Sequence, residues 1–421
     1  YQYDVPLMRI PYDLCSISIQ SVLAGQSAGR FFVRLCEFLQ AFWFFAELPR
    51  FKRLTNGSIF NEMGATWLWR CAGVGVLTIG ENVMKKWVAA AAFVTSSIFA
   101  TAMAGAATLD TVKQKGQIVC GHGQGLAGFG MPDAQGVWKG LDTDVCRALA
   151  AAIFNDPMKV KIVSLTSKDR FTALQSGEID ILSRNTTWTL SREASLGLEF
   201  AGINYFDGQG FMVRKSLNLK SAKDLGGASV CVQQGTTTEL NLADFFRANK
   251  MELKSVTFAT NDETTKAYDT GRCDALTTDA SGLYSERLRL AKPDDHVVLP
   301  EIISKEPLGP SVRKGDDQWL DIVKWTYFAM LTAEELGVTQ ANVDQMLKSE
   351  NPEIKRLLGT EGKFGESLGL TNDWAYRIIK HVGNYGESFE RNVGSGSPLK
   401  IARGLNALWT KGGLQYAPPI R

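Results

Sequence analysis

Histidine is scarce. The three in the chain, His122, His296 and His381, are too scattered to share a metal-ligand spacing, so the sequence offers no metal centre and requires no cofactor. An excess of one charge is missing too. Lysine and arginine number 46 against 44 for aspartate and glutamate, a net charge of +2, which is too small to draw the chain to nucleic acid. What is present is ordinary for a globular protein: 45% hydrophobic and 21% charged residues over 421 positions, enough for two or three domains.

The first 83 residues differ from the rest. Phe31 to Leu48 mixes aromatics with Arg34, Glu37 and Glu47, a pattern that fits neither an amphipathic helix nor a membrane span. Met84-Lys85-Lys86 is then followed by an uncharged run from Trp87 that ends in the small residues Ala102 to Ala107. A positive start, an apolar centre and a small-residue cleavage site predict a secretory signal peptide over 84–106, cut after Ala106 or, alternatively, Ala104. The run to Leu109 is also long enough to span a bilayer, but its Ala, Ser and Thr content makes it a weak anchor. Residues 1–83 are expected to be an upstream-translated or non-native extension, with a small N-terminal domain as the alternative.

Ser183 to Arg192, S-R-N-T-T-W-T-L-S-R, carries the chemistry. The apolar run Glu178 to Leu182 follows Gly177 as a buried strand leaving a turn would. Its end meets a row of hydroxyls and amides at Ser183, Asn185, Thr186, Thr187 and Thr189, a predicted helix N-cap at Ser191, and Arg192. Short polar side chains and free backbone N–H groups at a strand end form an anion-binding concavity, and arginine grips a carboxylate with two parallel hydrogen bonds. An N-capped loop with a surface arginine is the alternative. The chain then repeats itself. Ala173 to Leu182 (A-L-Q-S-G-E-I-D-I-L) is echoed by Ala267 to Leu276 (A-Y-D-T-G-R-C-D-A-L). Each copy predicts a helix ending at Gly177 or Gly271, a strand carrying Asp180 or Asp274, and polar residues after it, Asp279 in the second. Two α/β lobes facing one cleft follow, one offering a cation and the other an anion.

In G-L-D-T-D (Gly140 to Asp144), A-L-Q-S-G-E-I-D, T-L-S-R, V-Q-Q-G-T-T (Val232 to Thr237) and G-R-C-D-A-L-T-T-D (Gly271 to Asp279), the chain resembles the amino-acid-binding solute receptors of bacterial ABC importers, closest to the general L-amino-acid binders. The resemblance runs from Gly121 to about Lys314, and the C-terminal S-P-L-K-I-A-R-G-L-N-A-L-W looks like that subgroup's tail. It implies a two-lobed type II periplasmic-binding-protein fold of the α/β class with two hinge crossings: lobe 1 over 107–208, lobe 2 over 209–303, and a return to lobe 1 with the tail over 304–421. It further implies an L-amino acid ligand, an inner-membrane permease as partner, and a monomer in the periplasm. Arg192, helped by Thr187 and the Thr237 amide, would hold the α-carboxylate and Asp279 the α-ammonium. Asn185, Thr236, Gly235 and Ser167 would complete the pocket. Capping is the alternative for Thr236 and Thr237, and a solvated loop for Asp279. Export also bears on the cysteines. Cys120 and Cys146 fall in one lobe, Cys231 and Cys273 in the other, so one disulfide per lobe is expected, with four buried thiols as the alternative.

Gly123, Gly125 and Gly128 spell G-x-G-x-x-G after the predicted strand Gln117 to Cys120. That fingerprint needs a helix opening at the third glycine. Pro132, Asp133 and Gly136 instead keep the chain turning until Trp138, which argues against dinucleotide binding. In the resembled family this loop walls the pocket and usually carries a stacking aromatic; here Leu126 stands near that place, with Phe129 three residues on. Relatives selective for basic amino acids keep an acidic residue in this region, where this chain has Gly123, so breadth is expected. Two rival classes remain. An enzyme on the same fold, similar to cyclohexadienyl dehydratase, would need an acid or base in the cleft. A receptor input domain would need a membrane span after the tail.

Overall fold

The computed structural model describes residues 107–421; the expected signal peptide and everything before it lie outside the described residues. The chain enters through helix α1 (Thr108–Lys115) and strand β1 (Ile118–His122), passes a hairpin of β2 (Met131–Pro132) and β3 (Trp138–Lys139), and runs into α2 (Leu141–Phe154). Strand β4 (Val160–Ser164), α3 (Arg170–Ser176), β5 (Ile181–Leu182), α4 (Leu190–Ser195) and β6 (Leu198–Phe200) follow. Strand β7 (Tyr205–Asp207) leads out into β8 (Gln209–Arg214), β9 (Ser229–Gln233), α5 (Thr237–Ala248), β10 (Lys254–Phe258), α6 (Asn261–Asp269), β11 (Ala275–Asp279), α7 (Ala280–Arg287) and β12 (His296–Val298). Strands β13 (Glu306–Leu308) and β14 (Ser311–Arg313) bring the chain back to α8 (Asp317–Glu335). The tail adds α9 (Val343–Met346), α10 (Pro352–Leu358), α11 (Phe364–Ser367), α12 (Trp374–His381) and α13 (Tyr385–Asn392).

Two five-stranded sheets result, ordered β4-β1-β5-β14-β6 and β10-β9-β11-β8-β12. The returning β14 inserts antiparallel between β5 and β6. Between the sheets, β7 and β13 pair antiparallel, Glu306 opposite Asp207 and Leu308 opposite Tyr205, so both crossings form one short ribbon. All five residues of β1 are buried, as expected for a strand covered on both faces.

The repeated Gly and Asp do the same job in each sheet. Gly177 closes α3 with φ +79° and Gly271 follows α6 with φ +84°, left-handed positions that favour glycine. Asp180 and Asp274 lie just before β5 and β11 rather than on them, a correction to the expected strands. Each accepts a hydrogen bond of 2.8 Å from the backbone N–H of the neighbouring strand, Val119 in one sheet and Ser229 in the other. The expected disulfides are present. Cys120 on β1 is bonded to Cys146 on α2, and Cys231 on β9 to Cys273 beside β11.

The tail packs on the first lobe. Helix α2 buries nearly every residue from Leu141 to Ala152, because the tail covers the side that its sheet does not. Asp144 in its first turn accepts from Ser388, Arg391 and Asn392 at 2.6, 2.5 and 2.6 Å. The tail also fixes the first crossing. Asn406 accepts from the Phe206 N–H at 2.7 Å and donates to its carbonyl at 3.1 Å, and the Tyr385 hydroxyl donates to Asn204 O. Asn406→Ala strands both backbone groups of Phe206. Expected is a loss of about 2 kcal/mol, checked by urea unfolding; an unchanged midpoint would show that the crossing does not depend on the tail.

Candidate functional site

A small cavity between the two sheets is walled by Ser167, Arg170, Arg184 and Thr187 on one side and by Thr237 and Asp279 on the other, with Leu126 also at its wall. Its first wall begins where β5 ends. The Ser183 hydroxyl donates to Asp142 O, and the Asn185 N–H donates to the Asp142 carboxylate at 2.6 Å with Asn185 at φ +35°. The first turn of α2 thus holds the polar loop. Helix α4 is capped by Thr189, which is extended and accepts from the Arg192 N–H at 3.3 Å; the expected cap at Ser191 is corrected, because Ser191 already lies inside the helix.

The second wall is made by strand ends of the other sheet. Thr236 caps α5, accepting from the Glu239 N–H and donating to Gln233 O, so its capping role holds whatever else it does. Gly235 takes φ +73° and its Cα faces Lys168 of the opposite lobe, where a Cβ would come within 2.8 Å of the lysine side chain. Asp279 ends β11, is buried, and leaves its Oδ1 without a partner. Phe129 does not reach the cavity. It is buried in the first lobe's core, edge-on to Tyr205 at 5.2 Å, because Gly140 packs so tightly on its carbonyl that a Cβ there would stand 2.1 Å away. Leu126 keeps the wall position without an aromatic.

Three buried arginines converge. Arg192 donates to Thr187 O at 2.7 Å, Arg184 to the Ser167 hydroxyl at 3.1 Å, and Arg170 to the Thr186 hydroxyl at 3.3 Å. Arg170 and Arg192 both lie over the Phe171 ring, at 4.7 and 5.2 Å. Burial lowers Arg184 and Arg192 to about 10, partly offset at Arg184 by Asp142 and at Arg192 by Glu306 and Asp279. Both remain cationic at neutral pH, while burial first, then the charges of Arg184 and Arg192, hold Arg170 well below its usual value, with Asp279 pulling the other way. The sequence reading singled out Arg192 alone. Arg184 stood inside the same polar stretch, but its burial depends on Asp142 and Ser167 from distant segments.

Carboxylates answer these cations; beside the expected Asp279, the reading missed Glu306, Asp207 and Asp142. Glu306 on the crossing ribbon accepts from Thr187 of one lobe at 2.7 Å and from Thr237 of the other at 2.9 Å, with Asn241 and Ser304 completing its shell. Asp207 accepts from the Ser281 hydroxyl and the Gly208 N–H. Asp279 is pushed well above the usual carboxylate range by burial first, then by Asp207 and Glu306, with Arg192 and Arg170 pulling the other way.

Asp142 is raised to about 6 by burial, against the opposing hydrogen bonds of Asn204 and Asn185 and the charge of Arg184. A raised carboxyl binds its proton more tightly folded than unfolded, so stability falls as pH rises from about 4 to about 6. Over that range Asp142→Asn should gain on the wild type by up to about 3 kcal/mol. Thermal unfolding of the pair across pH 4–7 reads the slope, and a constant difference would remove Asp142 from the account.

What the arrangement can do is hold a small zwitterion, with cations from one lobe and a buried, half-free carboxylate from the other. Burial lowers His122 to about 3, and its ring sits between the Gly123 N–H and the Thr143 hydroxyl.

The chain has relatives among known proteins. Residues 118–341 match the bacterial extracellular solute-binding proteins, family 3. The chain is 64% identical over 320 residues to the general L-amino acid-binding periplasmic protein AapJ of Rhizobium johnstonii, covering 76% of this chain and 94% of that one. It is 56% identical to the glutamate/glutamine/aspartate/asparagine-binding protein BztA of Rhodobacter capsulatus, over 80% of this chain and all of that one. Among solved structures, an ABC transporter periplasmic binding protein from Brucella ovis with glutathione bound is 64% identical, covers 75% of this chain and 100% of its own, and superposes with a TM-score of 0.74.

Proposed function

The chain belongs to the bacterial extracellular solute-binding proteins, family 3, and from that premise we propose that it captures L-amino acids in the periplasm and delivers them to an ABC permease in the inner membrane. The observation that carries this reading is the pairing across the cavity: buried arginines on the first lobe and Asp279, with an unpartnered oxygen, on the second. Free amino acids share an α-carboxylate and an α-ammonium, so a receptor for many of them needs one fixed cation and one fixed anion. Arg192 takes the carboxylate, assisted by Thr187 and the amide of Thr237 at the start of α5. Asp279 takes the ammonium.

Because the charges come from different lobes, bound ligand joins them and favours the closed arrangement, which the permease then reads. Segment 84–106 serves as the export signal, and 107–208, 209–303 and 304–421 form lobe 1, lobe 2 and the return with its tail. Among the described residues, no helix is long and apolar enough to cross a membrane. The relatives' names, an amino-acid binder and an acidic-and-amide amino-acid binder, support the same ligand class, as does the γ-glutamyl head of glutathione.

The test is a mass spectrum of whatever co-purifies with the exported protein, followed by calorimetry with one acidic, one basic, one amide and one aliphatic L-amino acid. Micromolar or tighter binding of several is expected. Binding of none of the four, with no amino acid or γ-glutamyl compound co-purifying, would overturn the reading.

A further inference from the structure

Glu306 stands on β13 of the crossing ribbon, is buried, and does not line the cavity. Its carboxylate is saturated. Oε2 accepts from the Thr187 hydroxyl of lobe 1 at 2.7 Å and from the Thr237 hydroxyl of lobe 2 at 2.9 Å. Oε1 accepts from Asn241 Nδ2 on α5 at 2.7 Å and from the Ser304 hydroxyl of the crossing at 2.6 Å. These donors fill the places a carboxylate has, and they come from both lobes and from the ribbon between them.

A hydroxyl has one proton to give. With Thr187 and Thr237 both donating to Glu306, neither can donate to the other, although their oxygens stand 3.2 Å apart, and neither can donate to a ligand carboxylate. What the two threonines can still offer a carboxylate is a backbone N–H. Their hydroxyls serve the contact between the lobes. Because one oxygen of a single carboxylate takes both, the arrangement exists only while the lobes meet over the ribbon, and parting them strips a donor from a buried anion, which is costly. Elsewhere across the cleft the Ser285 hydroxyl donates to Ala127 O at 2.8 Å. That bond joins neutral groups, and bonds to a charged acceptor are roughly twice as strong.

We propose that Glu306 is a clasp for the closed arrangement: a positioning residue outside the cavity whose carboxylate ties one threonine from each lobe and thereby sets how fast bound ligand is released. The inference rests on the reading above, in which ligand lies between the lobes, and deepens it with a residue that acts through Thr187 and Thr237. Such a clasp is blind to the ligand's side chain. Its loss leaves the first encounter of ligand with the open protein nearly unchanged, because encounter precedes closure, and it speeds release.

Stopped-flow association and dissociation of L-glutamate, L-lysine, L-glutamine and L-alanine test this on the wild type, Glu306→Ala, Glu306→Gln, Thr237→Val and the double variant Glu306→Ala/Thr237→Val. Valine keeps the amide and branched shape of Thr237 and removes only the hydroxyl. In Glu306→Ala, release should be about 10- to 150-fold faster, the worth of one hydrogen bond to a charged group, with association within about threefold of the wild type. L-glutamine and L-alanine, whose side chains carry no charge for Glu306 to act on, should change by the same factor. Glu306→Gln keeps an accepting oxygen and should restore part of the loss, and Thr237→Val should add nothing once Glu306 is gone. A loss confined to association, different factors for the two neutral ligands, or fully additive effects overturn the clasp and leave the amino-acid reading intact. A wild type that binds none of the four overturns that reading alone. The clasp is then decided by small-angle scattering, where Glu306→Ala should enlarge the radius of gyration and an equal radius overturns it. If Glu306→Ala lacks a cooperative thermal transition, Thr187→Val and Thr237→Val carry the test, each expected to speed release by about tenfold; unchanged release in both overturns the clasp.

Discussion

Asp279→Asn is expected to remove nearly all amino-acid binding and at the same time make the ligand-free protein more stable at neutral pH. The two effects have one origin. Asp279 is buried at the end of β11 with one oxygen unpartnered, and burial, then Asp207 and Glu306, hold its carboxyl well above the ordinary range. Its folded pKa therefore exceeds its unfolded value. This contribution is fully present below the unfolded value, near pH 4, and is lost as pH rises through the folded one. Asparagine does not ionise, so the variant should overtake the wild type as pH rises. Binding goes the other way. An α-ammonium loses its buried countercharge, a change on the order of 2–5 kcal/mol, or roughly 30-fold to several-thousand-fold in affinity. Calorimetry and thermal unfolding on the same preparations read both. Unchanged affinity would sink the assignment, and a stability difference independent of pH would sink its physical explanation.

How much of this was legible in the sequence depended on whether the signal was local. The Gly and Asp repeat marked two similar units, because a left-handed helix end and an aspartate tied to the next strand are needed wherever this turn is built. The disulfides followed from which lobe each cysteine fell in. The reading failed where a side chain's surroundings come from far along the chain. Phe129 looked like a pocket aromatic, but the close approach of Gly140 turns it into the core. Ser191 and Thr189 are equally good caps by composition, and only the extended backbone at Thr189 selects it.

Arg170, Arg184 and Glu306 were harder still. In a linear sequence a charged residue reads as solvated, and these three are buried only because Ser167, Asp142, Thr187 and Thr237 meet around them from both lobes. The tail posed the same difficulty on a larger scale. It repeats no motif, yet Ser388, Arg391 and Asn392 converge on Asp144 some 244 to 248 residues earlier, and Asn406 secures Phe206 of the crossing. A segment whose role is to brace another has no pattern of its own to reveal it.

Arg192→Ala should weaken every amino acid alike. The shared part of the ligand is the α-carboxylate, and Arg192 is buried, aimed by its 2.7 Å bond to Thr187 O, and supported over Phe171. Its charge is felt by Asp279 across the cavity. Alanine deletes the guanidinium fork, leaves Thr187 O without its donor, and exposes Asp279 to less compensating charge. Truncating one member of a buried charged pair costs on the order of 2–5 kcal/mol, so affinities should fall by at least about 30-fold for acidic, basic, amide and aliphatic ligands together. Arg192→Lys keeps the charge but not the planar two-pronged donor, and should recover only part of the loss. Calorimetry of both variants with the four ligand classes separates the cases. A loss confined to acidic ligands would remove Arg192 from the α-carboxylate and overturn the assignment; an equal loss across the four classes, partly restored by lysine, fixes it as the common grip.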